Sequence, residues 1–418
     1  MISEIFMPIN GDTLKKTYIW TVLAGIIYAG SSFVMAIGTT NLLGEWDAGI
    51  FTIALTIGNQ LVTIGYYNIR MFQVSDTKEQ YAFADYSAAR ILSTIMMLGA
   101  GVAWIVVEGY SGEKLAVIVL MLVFKMGESI SDLFEGRYQQ KKRYDVACRG
   151  VVFKTLLCLI GFIISMMITK SLVVSMGVLT GLYWISLIVI DSHLLLAFKV
   201  ERPRFYWQIQ RRLLTDCLPL FINEFLTIYV FGATKYAMDR YYQEDMVGIF
   251  GSLFMMAFVI NLVATFVLRP LIAPLAERYQ NGDKNSFIRV IKRQMLIIAG
   301  LLIICVAGAW LIGPEVLTFV SGIDLIPYRI ELCIILLGGA CSSLYQLFNF
   351  SLIIMRRQAF CLAGSVVTAV LTWFITPLVV ARHAIRGGAI SYLISMVIMA
   401  TILAVVTIYF LRKKEVPE

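Results

Sequence analysis

Charge is scarce in this sequence. Only 15% of its 418 residues are Asp, Glu, Lys or Arg, against about 25% in a soluble domain. Histidine is nearly absent. The two that occur, His193 and His383, stand far apart, which argues against a zinc site. The seven cysteines form no CxxC pair, and Cys148, Cys158, Cys305, Cys333 and Cys361 fall in or near apolar runs. They read as small buried hydrophobes, not as metal ligands or disulfides. There is no GxSxG, no P-loop and no HExxH, so the usual hydrolase, NTPase and metalloprotease signatures are missing. No cofactor and no metal are expected, and the chain is not read as an enzyme.

Apolar residues are what the sequence has instead. They make up 59% of the chain, with a mean hydropathy of +0.80, which places it in the membrane class. Stretches long enough to span occur near Thr17–Thr40, Ala48–Arg70, Asp85–Val107, Leu115–Glu135, Cys148–Thr169 and Leu172–Phe198. A second set runs near Leu213–Tyr236, Val247–Arg269, Met295–Ile312, Ile330–Met355, Ala359–Ala381 and Gly387–Leu411. The first run is too long for the h-region of a cleavable signal. The expected fold is all-α and polytopic, with about twelve transmembrane helices.

Lys and Arg set the orientation. With the N-terminus cytoplasmic, 25 of them fall on inner segments and 7 on outer ones, while Arg90, Lys125 and Lys154 lie within spans. Arg137–Arg149 and Lys199–Arg212 are the densest inner clusters. Both termini are therefore expected inside. The formal charge of +8 reflects this topology and anionic lipid headgroups, not nucleic acid.

A weak internal repeat relates the two halves. Glu45-Trp46-Asp47-Ala48-Gly49-Ile50-Phe51 matches Glu244-Asp245-Met246-Val247-Gly248-Ile249-Phe250, and the same offset carries Arg70 onto Arg269. Both halves begin inside, so the expected architecture is two six-helix bundles in parallel pseudo-repeat. The expected organisation is a bundle over 1–198, a basic cytoplasmic linker over 199–212 and a second bundle over 213–418.

Ionisable residues within spans are functional suspects. Lys125, Glu128, Asp132 and Glu135 of the fourth span are spaced by three, four and three, which puts all four on one helix face. That face should look into the bundle. A self-neutralising Lys125–Glu128 pair is the bland reading, and an Asp132–Lys154 pair is plausible by depth. The seventh span carries Asp216, Pro219, Asn223 and Glu224, and the proline should bend it. Asn59, Gln60 and Asn261 suit interhelical hydrogen bonds. Lys235, near the outer end of the seventh span, suits snorkelling.

Four segments carry a resemblance. Asn68-Ile69-Arg70-Met71-Phe72-Gln73-Val74-Ser75-Asp76, Phe134-Glu135-Gly136-Arg137-Tyr138-Gln139-Gln140, Lys235-Tyr236-Ala237-Met238-Asp239-Arg240-Tyr241 and Pro270-Leu271-Ile272-Ala273-Pro274-Leu275 are similar to segments of bacterial polysaccharide flippases. The chain thus resembles the polysaccharide transporter branch of the multidrug/oligosaccharidyl-lipid/polysaccharide exporter (MOP) superfamily. The resemblance implies two bundles around a cavity in the cytoplasmic membrane, alternating access and no ATPase. It implies a polyprenyl-pyrophosphate-linked oligosaccharide as cargo, with membrane lipids and polysaccharide-assembly proteins as partners. On that reading Lys125, Arg90 and Lys154, with Arg70 and Arg269 at the inner mouth, attract the diphosphate and anionic sugars. Glu128, Asp132 and Glu224 become ion-coupling candidates. The alternative is a multidrug or cation antiporter of the same superfamily, in which Glu128 and Glu224 dominate. A membrane-embedded polymerase or transferase is less well served, because the longest outer connection, about Gly313–Arg329, is short. A scaffold for glycan assembly is a further class.

Overall fold

A computed structural model describes residues 13–76, 80–191, 202–268, 275, 279 and 283–412. Among them the secondary structure is all helical, with no strand. The spans are α1 (Thr13–Leu43), α2 (Glu45–Tyr66), α3 (Phe83–Glu108), α4 (Gly112–Gln140), α5 (Tyr144–Thr169) and α6 (Leu172–Ser186). They continue with α7 (Trp207–Tyr241), α8 (Glu244–Leu268), α9 (Lys284–Ser321) and α10 (Arg329–Ile354). A last helical stretch, Gln358–Arg412, has 55 residues. At 1.5 Å per residue it would run about 80 Å, far more than one bilayer crossing. It breaks at Ala384, where φ is 48° and ψ −128°, giving α11 (358–383) and α12 (385–412).

Nine described helices are long and apolar enough to cross a membrane. The count reaches twelve with the charged α4, with α8 and with the division at Ala384. This is the expected polytopic all-α fold. The ninth span is longer than its apolar core. Asp283 caps it by accepting the Ser286 N–H at 2.9 Å, and the basic turn from Lys284 to Arg293 winds into the same helix. Hydropathy reads only the apolar middle, so the sequence placed the start at Met295.

Sharp turns set the antiparallel neighbours. Gly44, at φ 95°, reverses the chain between α1 and α2, a conformation cheap only for glycine. Tyr67 and Asn68, at φ 45° and 55°, end α2 and start a short helix, Ile69–Ser75. Such backbone is costly for a tyrosine. It is held by a core of Tyr67, Ile69, Phe83, Tyr86 and Leu133, with the Tyr67 ring stacked on Phe221 at 4.3 Å.

Contacts divide the chain into two compact units. The first holds the residues through Leu43 and Ile50–Phe225; the second holds Gly44–Gly49 and the residues from Leu226 on. In the first, α1 and α6 pack on α5, and α3 and α6 pack on α4. In the second, α10 is the centre, touching α8, α9 and the α11–α12 stretch. Helix α7 contributes to both, and it passes through Pro219 without a break. The proline supplies no N–H to the carbonyl of Thr215, whose own hydroxyl bonds back to the Arg211 carbonyl at 2.7 Å.

Candidate functional site

The charged face of α4 turns into the first unit. Lys125 and Glu128 are buried, with 4% and 7% of their side chains exposed, and form an ion pair of 2.7 Å. The Tyr28 hydroxyl hydrogen-bonds Glu128 and Tyr66. One turn on, Asp132 holds two guanidinium groups, Arg70 on Oδ1 at 2.9 Å and Arg90 on Oδ2 at 2.7 Å. Arg70 also pairs with Glu135 at 2.8 Å. Arg90 is almost wholly enclosed and gives a second N–H to the Gly65 carbonyl at 2.6 Å. This carbonyl, near the C-terminal end of α2, has no N–H partner continuing the helix, so a cation suits it.

Lys154 takes a different partner from the one expected. It pairs with Asp191 at 3.0 Å and donates to Ser131, and it leaves Asp132 to the arginines. Asp191 sits in a wider, π-type turn, Leu187–Asp191, that follows directly on α6. Such turns re-aim one side chain. The Tyr138 hydroxyl donates to the other Asp191 oxygen at 3.4 Å.

Glu224 of α7 completes the group. Its Oε2 accepts the Asn68 amide N–H at 2.7 Å, and among the described residues no cation pairs with it. Next to it, Gln60 donates to the Phe225 carbonyl at 3.0 Å, while the Gln60 Oε1 is buried with no partner. Arg269 lies outside the described residues, as do the segment from Pro270 to Pro274 and His193. No cluster that could hold a metal ion occurs among the described residues.

Arg70, Arg90, Lys125 and Lys154 therefore all stand in ion pairs, facing Glu128, Asp132, Glu135 and Asp191. Four cations meet four carboxylates, and Glu224 is the fifth. The sequence reading missed Asp191, Tyr28 and Asn68. Asp191 was hidden inside an apolar run extended to Phe198. The signal for Asn68 was its place just after α2, where asparagine readily accepts positive φ.

No family model matches the chain, and no curated protein matches it. Solved structures do. It aligns with an inward-facing multidrug resistance MATE family transporter of the MOP superfamily over 99% of both chains, at 14% identity and a TM-score of 0.64. The eukaryotic MATE transporter AtDTX14 aligns over 95% of this chain and 96% of its own, at 13% identity and a TM-score of 0.63. The fold is that of MOP-superfamily transporters. A MOP transporter from Pyrococcus furiosus, with a binding pocket of reversed polarity, aligns over 96% of both chains, at 14% identity and a TM-score of 0.60.

Proposed function

We propose that this chain is a MOP-superfamily secondary transporter of the cell membrane. It works by alternating access with both termini cytoplasmic, and a carboxyl group of the first unit takes up the coupling proton or cation. The observation that carries this is the ionic chain along α4 with one carboxyl, Glu224, in excess of its cations. Ionisable groups within spans are expensive and sit on transport pathways. A carboxyl held only by an amide is where charge can be exchanged without breaking an ion pair.

Two cargo classes have support. A multidrug or cation antiporter is favoured by the solved neighbours, which include multidrug transporters, and by the neutralised cations, which leave little free positive field in the first unit for a diphosphate. Flipping of polyprenyl-linked oligosaccharide is supported by the four flippase-like segments and by Lys235 of the second unit, which has no carboxylate partner among the described residues. Proteoliposomes separate the two. One population carries labelled polyprenyl-pyrophosphate oligosaccharide in one leaflet, another a fluorescent lipophilic cation, each with and without a pH gradient. Gradient-driven movement of one cargo identifies the class. Movement of neither, in protein that remains folded, overturns the transporter reading.

A further inference from the structure

Lys235, near the outer end of α7, differs from Arg90, Lys125 and Lys154, each of which has a carboxylate partner. No carboxylate lies within ion-pair distance of it among the described residues, and its ammonium sits 4.2 Å from the centre of the Phe254 ring. Snorkelling does not account for this. Lys235 stands six residues before the α7–α8 turn, about 9 Å along the helix, whereas Phe254 lies ten residues past α8's start, about 15 Å along. Both residues lie inside their helices, so the ammonium is held beside the ring within the span and not beyond the turn. A ring face returns less than the cost of taking an ammonium out of water.

The surroundings are aromatic and carry unused polar atoms. Tyr392 packs edge-on against Phe254 at 4.7 Å and touches Phe231 at 6.0 Å. It is wholly buried, and its hydroxyl has no hydrogen-bond partner. Such a hydroxyl is costly unless something meets it. Gly338 makes the room, since a Cβ there would stand 2.5 Å from the Tyr392 ring. On the adjoining stripe of α7, Tyr229 stacks with Tyr236 and meets Trp373, each at 6.4 Å. Trp373 is 65% exposed and lies near the middle of α11, away from the interface belt where tryptophan anchors spans.

We infer that Lys235, the Tyr392 hydroxyl and the Tyr229–Tyr236–Trp373 group form a binding subsite of the second unit for an oxyanion-bearing saccharide. This rests on the oligosaccharide reading of the cargo. Lysine takes a carboxylate or phosphate as a point charge. Aromatic faces receive the CH face of a sugar ring, and tyrosine hydroxyls bond its hydroxyls.

Binding to the purified full chain, by calorimetry in detergent, tests it without requiring transport. The probes are a glucuronate-containing trisaccharide, glucose 1-phosphate, neutral maltotriose and inorganic phosphate. The expected result is at least tenfold tighter binding of one charged saccharide than of maltotriose, and the tighter one tells carboxylate from phosphate. Lys235→Gln should erase that preference and Lys235→Arg should keep most of it. Trp373→Leu should weaken charged and neutral saccharides alike. Equal affinities for charged and neutral sugar, or an unchanged preference in a folded Lys235→Gln protein, overturn the subsite. So does inorganic phosphate binding as tightly as the sugar phosphate. If Lys235→Gln fails to fold, Tyr392→Phe with Lys235→Arg decides, through loss of saccharide affinity in the first and retention in the second. A protein that binds the charged sugar but flips no labelled lipid keeps the subsite and loses the flippase reading.

Discussion

Lys125 and Glu128 meet at 2.7 Å one turn apart on α4, both buried. Removing one partner of such a pair leaves a bare charge and costs about 3–5 kcal/mol, while removing both is far milder. Lys125→Gln should lower membrane abundance and thermal stability, and Lys125→Gln with Glu128→Gln should recover both. Quantitative blotting with thermal denaturation checks this. A stable, abundant Lys125→Gln protein that has lost transport would instead make Lys125 a cargo contact.

Glu224→Gln keeps an oxygen for Asn68 to donate to and removes the charge. The expected protein is folded, exchanges cargo across the membrane at equilibrium, and no longer responds to a pH gradient. Counterflow and gradient-driven assays in the same vesicles separate the two activities. Intact gradient drive in Glu224→Gln would move the coupling role to another carboxyl.

Close helix contact predicts a third result. A Cβ on Gly49 would stand 1.9 Å from the Glu244 carbonyl oxygen, and one on Gly248 2.1 Å from that of Glu45. The obstacle is backbone, so nothing can swing aside. Gly49→Ala and Gly248→Ala should each destabilise by about 1–3 kcal/mol. Gly30→Ala, with nothing within 4 Å, should be neutral or better by up to about 1 kcal/mol. Melting temperatures of the three variants give the comparison.

Asp76, after the short helix Ile69–Ser75, supplies a pH prediction. Burial pushes its carboxyl up, but N–H groups of Gln80 and Tyr81 and the Tyr86 hydroxyl, at 2.9, 3.1 and 3.0 Å, outweigh that and hold it below the usual range. A lowered carboxyl stabilises the fold above its unfolded pKa and loses that contribution as pH falls through the folded one. The window therefore lies below about pH 4. Wild type and Asp76→Asn should converge in melting temperature there, and differ at neutral pH with the wild type higher.

The α4 stripe was legible because its spacing of three and four fixes one face whatever surrounds it. Its partners were not. Lys154 was matched to Asp132 by depth alone, whereas Asp191 reaches it from a π-type turn that hydropathy reads as ordinary apolar helix. Spans with apolar ends were found within a few residues, but α9 starts earlier because capping and basic residues extend it beyond the apolar core. The repeat around Gly49 and Gly248 was visible as a match of letters. That the matched residues touch needs the third dimension.

That contact is reciprocal, since residue 49 meets residue 244 and residue 248 meets residue 45. Reciprocity of this kind belongs to two identical chains related by a two-fold axis. In this single chain it ties the starts of α2 and α8 together like two hooks closed on each other. Opening one side opens the other, so a side chain at either glycine would loosen both.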